Sequence, residues 1–185
     1  EAPHVRIRFI RKLDKDSTGL RDGEIDLETG VVGTSIGPEV RAQALFEDRY
    51  VGVVRAGHPL ARGKMSAERY AGGRHVLVTR QGLGLGAIDE ALEMIGLART
   101  IVTTVDGFAA ALALARGSDL VSTVPERHTI GLRDGMETFA LPVETDAFTI
   151  SLLWHPRMEG DAAHRWLRQL VRKACVDVLQ VAPGG

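Results

Sequence analysis

Between Val76 and Pro125 the chain alternates short apolar or β-branched runs with helical stretches, and glycine follows each helix. That alternation constrains the fold more than any other feature. Two antiparallel strands can be joined by a two-residue hairpin, whereas two parallel strands need a crossover, usually a helix. Val76-Leu77-Val78 reads as a buried strand. Ile88, Leu92 and Ile95 then recur at helical spacing up to Gly96, and Ile101 to Val105 supplies a β-branched strand. Phe108 to Ala115 is an alanine-rich helix closed by Gly117, and Leu120 to Thr123 is a further strand ended by Pro125. The expectation is an α/β protein with largely parallel sheets, two of them being plausible.

The flanks extend the pattern. Val5, Ile7 and Phe9 alternate with Arg6 and Arg8, the period of a strand at a sheet edge with one buried face. Gly23 can stop a short helix before a strand that enters at Ile25, and a loop spans Gly33 to Pro38. Ala42 to Phe46 and Tyr50 to Val54 read as strands, and Ser66 can cap a helix through Tyr70. After a turn at Leu132 to Gly135, strands are expected at Phe139 to Leu141 and at Phe148 to Trp154. In the second, Phe148, Ile150, Leu152 and Trp154 share one face. Asp161 can cap a last helix to about Leu179, whose apolar stripe is Trp166, Leu167, Leu170, Val171, Ala174 and Val178.

At 185 residues the chain can bury roughly 70% of its unfolded surface without a covalent staple. Lys plus Arg number 23 against 24 Asp plus Glu, and nowhere do the cations form the stripe that phosphate neutralisation needs, so this chain alone should not grip DNA. One cysteine, Cys175, excludes an internal disulfide, suits a reducing cytoplasm and is expected to pack in the last helix. Glu1-Ala2-Pro3-His4 is no export leader, and no apolar run nears the ~20 residues of a membrane span. The six histidines show no i, i+4 pair and no cysteine partner, so no metal or cofactor is expected. No serine sits in a Gly-x-Ser-x-Gly elbow, so no catalytic residue is assigned and an enzyme is not expected.

Ligands of doubly wound sheets settle beyond the carboxyl ends of strands, where loops and helix N-termini offer unpaired N–H groups. Arg80-Gln81-Gly82-Leu83-Gly84-Leu85-Gly86 occupies such a junction, and its glycines permit close backbone approach to a carboxylate-bearing ligand. A plain flexible turn is the bland alternative. A dinucleotide loop is a third reading, with Asp106 standing near the distance of the expected acidic residue. Asp106-Gly107-Phe108 lies at the next junction, where Phe108 could stack on an aromatic ligand or simply pack, and Asp106 could cap the helix. Thr123 would offer a hydroxyl and Val124 an apolar wall. The ligand-contact candidates are therefore Arg80, Gln81, Leu83, Gly84, Leu85, Asp106, Gly107, Phe108, Thr123 and Val124. Asp119 and Glu126 read as capping residues or partners of Arg127, and His155 as a hydrogen-bonded turn residue that also merits a test.

Four segments in order resemble the effector-binding domain of LysR-type transcriptional regulators. They are Leu20-Arg21-Asp22-Gly23-Glu24-Ile25-Asp26-Leu27, the run Val53 to Ala61 ending His58-Pro59-Leu60-Ala61, the run Ser118 to Arg127, and Trp154-His155-Pro156-Arg157 followed by His164-Arg165-Trp166-Leu167-Arg168. The last two most resemble the branch that senses aromatic acids and phenolics.

The resemblance implies two Rossmann-like lobes of the type 2 periplasmic-binding-protein kind. Lobe one would comprise 1–55 and 148–185 and lobe two 56–147, joined by crossing strands near Gly52 to Arg55 and near Ala147 to Ile150. It further implies a small-molecule effector between the lobes, a homodimer or tetramer, and DNA contact only through an N-terminal winged helix-turn-helix outside this chain. A periplasmic-type solute-binding protein is the alternative on the same fold. Two departures stand out: the strand and helix that usually open lobe one are missing, and Glu28 replaces a small apolar residue, so its carboxylate needs water or a partner.

Overall fold

The computed structural model describes residues 2–12, 17–33, 36–79 and 86–181. They form helices α1 (Thr18–Asp22), α2 (Ala67–Ala71), α3 (Ala87–Glu93), α4 (Phe108–Arg116) and α5 (Ala162–Val181). The strands are β1 (Glu28–Val31), β2 (Arg41–Asp48), β3 (Tyr50–Arg55), β4 (Arg74–Val78), β5 (Thr100–Val105), β6 (Leu120–Pro125), β7 (Met136–Ala140) and β8 (Phe148–Trp154). There are two sheets, ordered β1-β8-β2 and β5-β4-β6-β3-β7.

Among the described strands, only β5, β4 and β6 pair in parallel, through the crossovers α3 and α4. β3 is antiparallel to β6 and β7, and β8 is antiparallel to β1 and β2. The expectation of largely parallel sheets therefore holds for one three-strand block. It over-reached because only β4, β5 and β6 are joined in sequence by helices within one sheet, whereas β2 leads directly into β3 and β7 into β8 across the two sheets, so these strands meet their antiparallel partners from elsewhere in the chain.

The five-stranded sheet is packed on both faces. Val51, Val53 and Val124 meet Leu112 of α4 on one side, and Val54 and Val121 meet Tyr70, Ala71, Ile88 and Leu92 of α2 and α3 on the other. Gly52 stands opposite Phe139, and a Cβ there would come within 2.2 Å of that ring, so the glycine is the space the aromatic fills. Ser66 caps α2, its hydroxyl accepting from Arg69 N–H.

The chain passes from one sheet to the other at Asp48–Tyr50 and again over 141–147. The two passages lie side by side: Asp48 is in register with Phe148, and the Tyr50 and Phe148 rings stand 5.1 Å apart.

Two expectations at the chain ends are corrected. Residues Val5 to Phe9 form no strand: Val5 and Ile7 are half-exposed and Phe9 is 94% exposed. A strand needs a ladder partner, and no described strand runs beside this segment. On α5 the stripe from Trp166 to Val171 is only half-buried, and Ala174 is exposed. The buried positions are instead His164 and Arg168, one helical turn apart. Asp26 C=O lies 2.8 Å from His164 Nε2. Arg168 donates to His164 Nδ1 and to Met158 C=O, and its guanidinium lies 4.6 Å from the Trp154 ring centre. A satisfied polar pair has taken the place that apolar residues were expected to fill.

His75, fully buried in β4, bonds the Tyr70 carbonyl through Nε2, while its Nδ1 has no partner among the described residues. Burial therefore pushes its pKa down to about 4. The unfolded chain takes up the proton near pH 6.5 and the folded one only near 4, so stability is full above 6.5 and falls as pH drops through that window. The loss should approach about 3 kcal/mol. Urea unfolding at pH 7.5, 6, 5 and 4 should show this decline, and His75→Leu should flatten it.

Candidate functional site

The carboxyl ends of β4, β5 and β6 converge on one edge of the five-stranded sheet. Thr79, just past β4, donates its N–H to Val105 C=O at 2.9 Å, which ties the first two junctions together. The glycine segment begins at the next residue, and candidates Arg80, Gln81, Leu83, Gly84 and Leu85 lie outside the described residues.

The far end of that segment is anchored by a buried network. Gly86 N–H donates to Asp89 Oδ2 at 3.1 Å, and Asp89 receives Arg99 Nε and NH2 at 2.7 and 2.8 Å. Arg99 also reaches the Tyr70 hydroxyl at 3.3 Å, and that hydroxyl lies 2.7 Å from Thr123 Oγ1. Burial works to raise the Asp89 carboxyl, but the Arg99 bonds and the Gly86 N–H outweigh it and hold the group below its usual range. Burial pushes the Tyr70 phenol up. Sequence reasoning missed Asp89 and Arg99 because ten residues separate them, a spacing that matches neither a helix turn nor a strand pair. The fork of the guanidinium closing on the carboxylate becomes visible only when α3 and β5 are in place.

Thr123 and Val124 sit on opposite faces of β6. Thr123 is buried with its hydroxyl against Tyr70, and Val124 is fully buried in the core with Leu112. Phe108, at the start of α4, packs partly on that core and lies edge-to-face with His128, ring centres 6.0 Å apart. Gly107 caps α4 without any side-chain bond, so Asp106 does not serve as the cap. Its carboxylate instead pairs with Arg11 of the N-terminal segment.

His128 is held from the chain crossing. Asp48, only 3% exposed at the end of β2, accepts the N–H groups of Arg127 and His128, each at 2.9 Å, and that of Arg49 at 2.8 Å. Arg49 grips Glu126 at 2.6 Å and holds that carboxyl below its ordinary pKa. Asp119 pairs with Arg55 at 2.6 Å. Both acids are thus paired as expected, but with partners other than Arg127. His58 and His155 perform the same local task, each accepting through Nδ1 the N–H two residues on, across His-Pro turns. Glu28 has its partner in Lys12. Two grooves of about 350 and 330 Å³ flank α5, the first against Val5 and Ile7 and the second lined by Trp154 and Arg168, and neither involves Asp106 or Phe108. No cluster of metal-ligating side chains occurs among the described residues, and no described helix is long and apolar enough to cross a membrane.

Residues 1–176 match the family of LysR substrate binding domains, and the chain belongs to it. The fold is accordingly of the type 2 periplasmic-binding-protein-like kind, an effector-binding module of transcriptional regulators and not an enzyme. Among similar proteins, the HTH-type transcriptional activator NagR of a Ralstonia species is 32% identical over 91% of this chain and 57% of its own length. The activator NahR of Pseudomonas putida is 30% identical over 92% and 58%. The structure of the probable transcriptional regulator PA0477 of Pseudomonas aeruginosa superposes with a TM-score of 0.75 at 30% identity, covering 91% of this chain and 56% of that one. The chain thus spans somewhat over half the length of the curated relatives it matches.

Removing Arg99 strands a buried carboxylate, so Arg99→Met should cost about 3–5 kcal/mol in urea unfolding. The double change Asp89→Leu with Arg99→Met should recover much of that loss.

Proposed function

We propose that this chain is the part of a LysR-type regulator that senses a small aromatic or carboxylated metabolite. The effector would lie between the two sheets at the carboxyl ends of β4, β5 and β6. One observation carries the reading: Phe108 and His128 form an aromatic pair at these strand ends, where the exposed Arg11–Asp106 ion pair also stands. A ring can stack on such a pair, and amides at strand-to-helix junctions suit an acid.

In this reading the sheets are the cores of two lobes, with the crossings at Asp48–Tyr50 and 141–147 as the hinge. A ligand shifts the lobe angle only by as much as it binds one angle better than another. His128 supplies the link, because its ring touches the site and its N–H is held by Asp48 at the crossing. The response would pass to an N-terminal winged helix-turn-helix, with the chain self-associating as a homodimer or tetramer in the cytoplasm. A net charge of -1 supports leaving the DNA contact to that other domain.

Calorimetric titration with salicylate, benzoate, flavonoids and small dicarboxylates should give saturable one-site binding to at least one class. Phe108→Ala should weaken an aromatic ligand about tenfold, the size expected for a lost ring contact. The same chain should show no salt-dependent DNA binding in fluorescence anisotropy. Heat signals no larger than buffer dilution for every class would end the sensor reading.

A further inference from the structure

Adjacent cations in the N-terminal segment reach in opposite directions. Lys12 engages Glu28 on β1 of the three-stranded sheet, and Arg11 engages Asp106 at the end of β5 in the five-stranded one. The two pairs differ in setting. Lys12 and Glu28 are largely buried side chains, at 24% and 14% exposure, whereas Arg11 and Asp106 stand open to water at 50% and 62%. An ion pair this exposed contributes about 0–1 kcal/mol, so an ionised group arriving from solution can exchange into it.

Asp106 is two residues from Phe108, and Phe108 faces the His128 ring. Arg11, through Asp106, and the Phe108–His128 ring pair are thus both attached to the β5–α4 junction. No other charged side chain is paired with Arg11 among the described residues. Guanidinium geometry favours bidentate capture of a carboxylate, which a ligand acid can offer as readily as an aspartate.

We propose that Arg11 is the acid-group contact of the site and that Asp106 is its intramolecular stand-in, so that a ring-bearing carboxylate binds by displacing Asp106 from Arg11. This rests on the sensor reading above and makes it more specific: the ligand must be anionic, its ring must meet Phe108, and its binding replaces a contact that otherwise joins the N-terminal segment to the β5–α4 junction. Selection against neutral analogues follows from the exchange itself. An uncharged amide cannot compete with a carboxylate for a guanidinium, and it leaves the Arg11–Asp106 pair closed.

The test is calorimetric titration of the 185-residue chain with benzoate and with benzamide, its uncharged counterpart. Arg11→Gln should weaken benzoate about tenfold, as the loss of a charged hydrogen-bond partner would, and leave benzamide unchanged. Arg11→Lys should fall between the two, because an ammonium keeps the charge without the fork. Asp106→Asn should tighten benzoate severalfold by removing the competitor, and Lys12→Gln should change neither ligand. Equal benzoate affinity with and without Arg11, or an equal loss for benzamide, overturns the role of Arg11. Failure of Asp106→Asn to tighten benzoate overturns the displacement. An unmodified chain that binds neither compound sinks the ring-carboxylate reading beneath the proposal, a result distinct from either of the others.

Discussion

The Asp48 carboxylate is the interaction on which the rest of the arrangement depends. It is 3% exposed and accepts three backbone N–H groups, one from Arg49 and two from the turn that follows β6. A buried charge costs several kcal/mol unless its bonds are replaced, and three short amide bonds replace much of what water supplied. Those bonds also decide geometry. They fasten the last strand of the parallel block to the point where the chain leaves one sheet for the other, and β8 returns past the same residue in register with Phe148. A rotation of one sheet relative to the other must turn about this knot or break it.

The position of the knot has a consequence for any ligand at the strand ends. Arg127 and His128 are held by Asp48, Glu126 is held by Arg49, and Arg133 bonds the Glu126 carbonyl at 2.7 Å, so the whole turn after β6 is tied to the crossing. The ring of His128 is nevertheless exposed and touches Phe108. On the opposite side, the Gly86–Asp89–Arg99–Tyr70–Thr123 chain of bonds fixes the other boundary of the glycine segment to the interior of β6.

Legibility in the sequence followed the range of the interaction. Elements set by neighbours on the chain were readable: Gly23, with φ of +80°, ends α1, Ser66 caps α2, and Asp161 accepts His164 N–H at the start of α5. Strand pairing was harder, because direction depends on what lies beside a strand and not on its composition. The parallel pattern of β4, β5 and β6 does not extend to the other described strands, and Val5 to Phe9, which alternates as a strand would, joins no described sheet. The amphipathic reading of α5 failed for a related reason. His164 and Arg168 are polar by type but engaged by Asp26, Met158 and Trp154, and periodicity has no way of seeing partners contributed from elsewhere in the fold.

The segments that carry the family resemblance are, in the structure, makers of the scaffold. Gly23 leaves space for Arg157, which donates to the Leu20 and Arg21 carbonyls at the end of α1. His58 and Asp119 close the far ends of β3 and β6, with His58 Nε2 lying 3.3 Å from the Asp119 carbonyl and Arg55 pairing with its carboxylate. His155, His164 and Arg168 hold the turn and helix that follow β8. Each of these residues is satisfied from within, and a satisfied group has little left to offer a ligand. Among the described residues, Asp106, Arg11 and the ring of His128 are open to water at the strand ends, as is Arg127, the last residue of one of those segments. The family resemblance is thus carried largely by side chains that must find partners for the chain to fold.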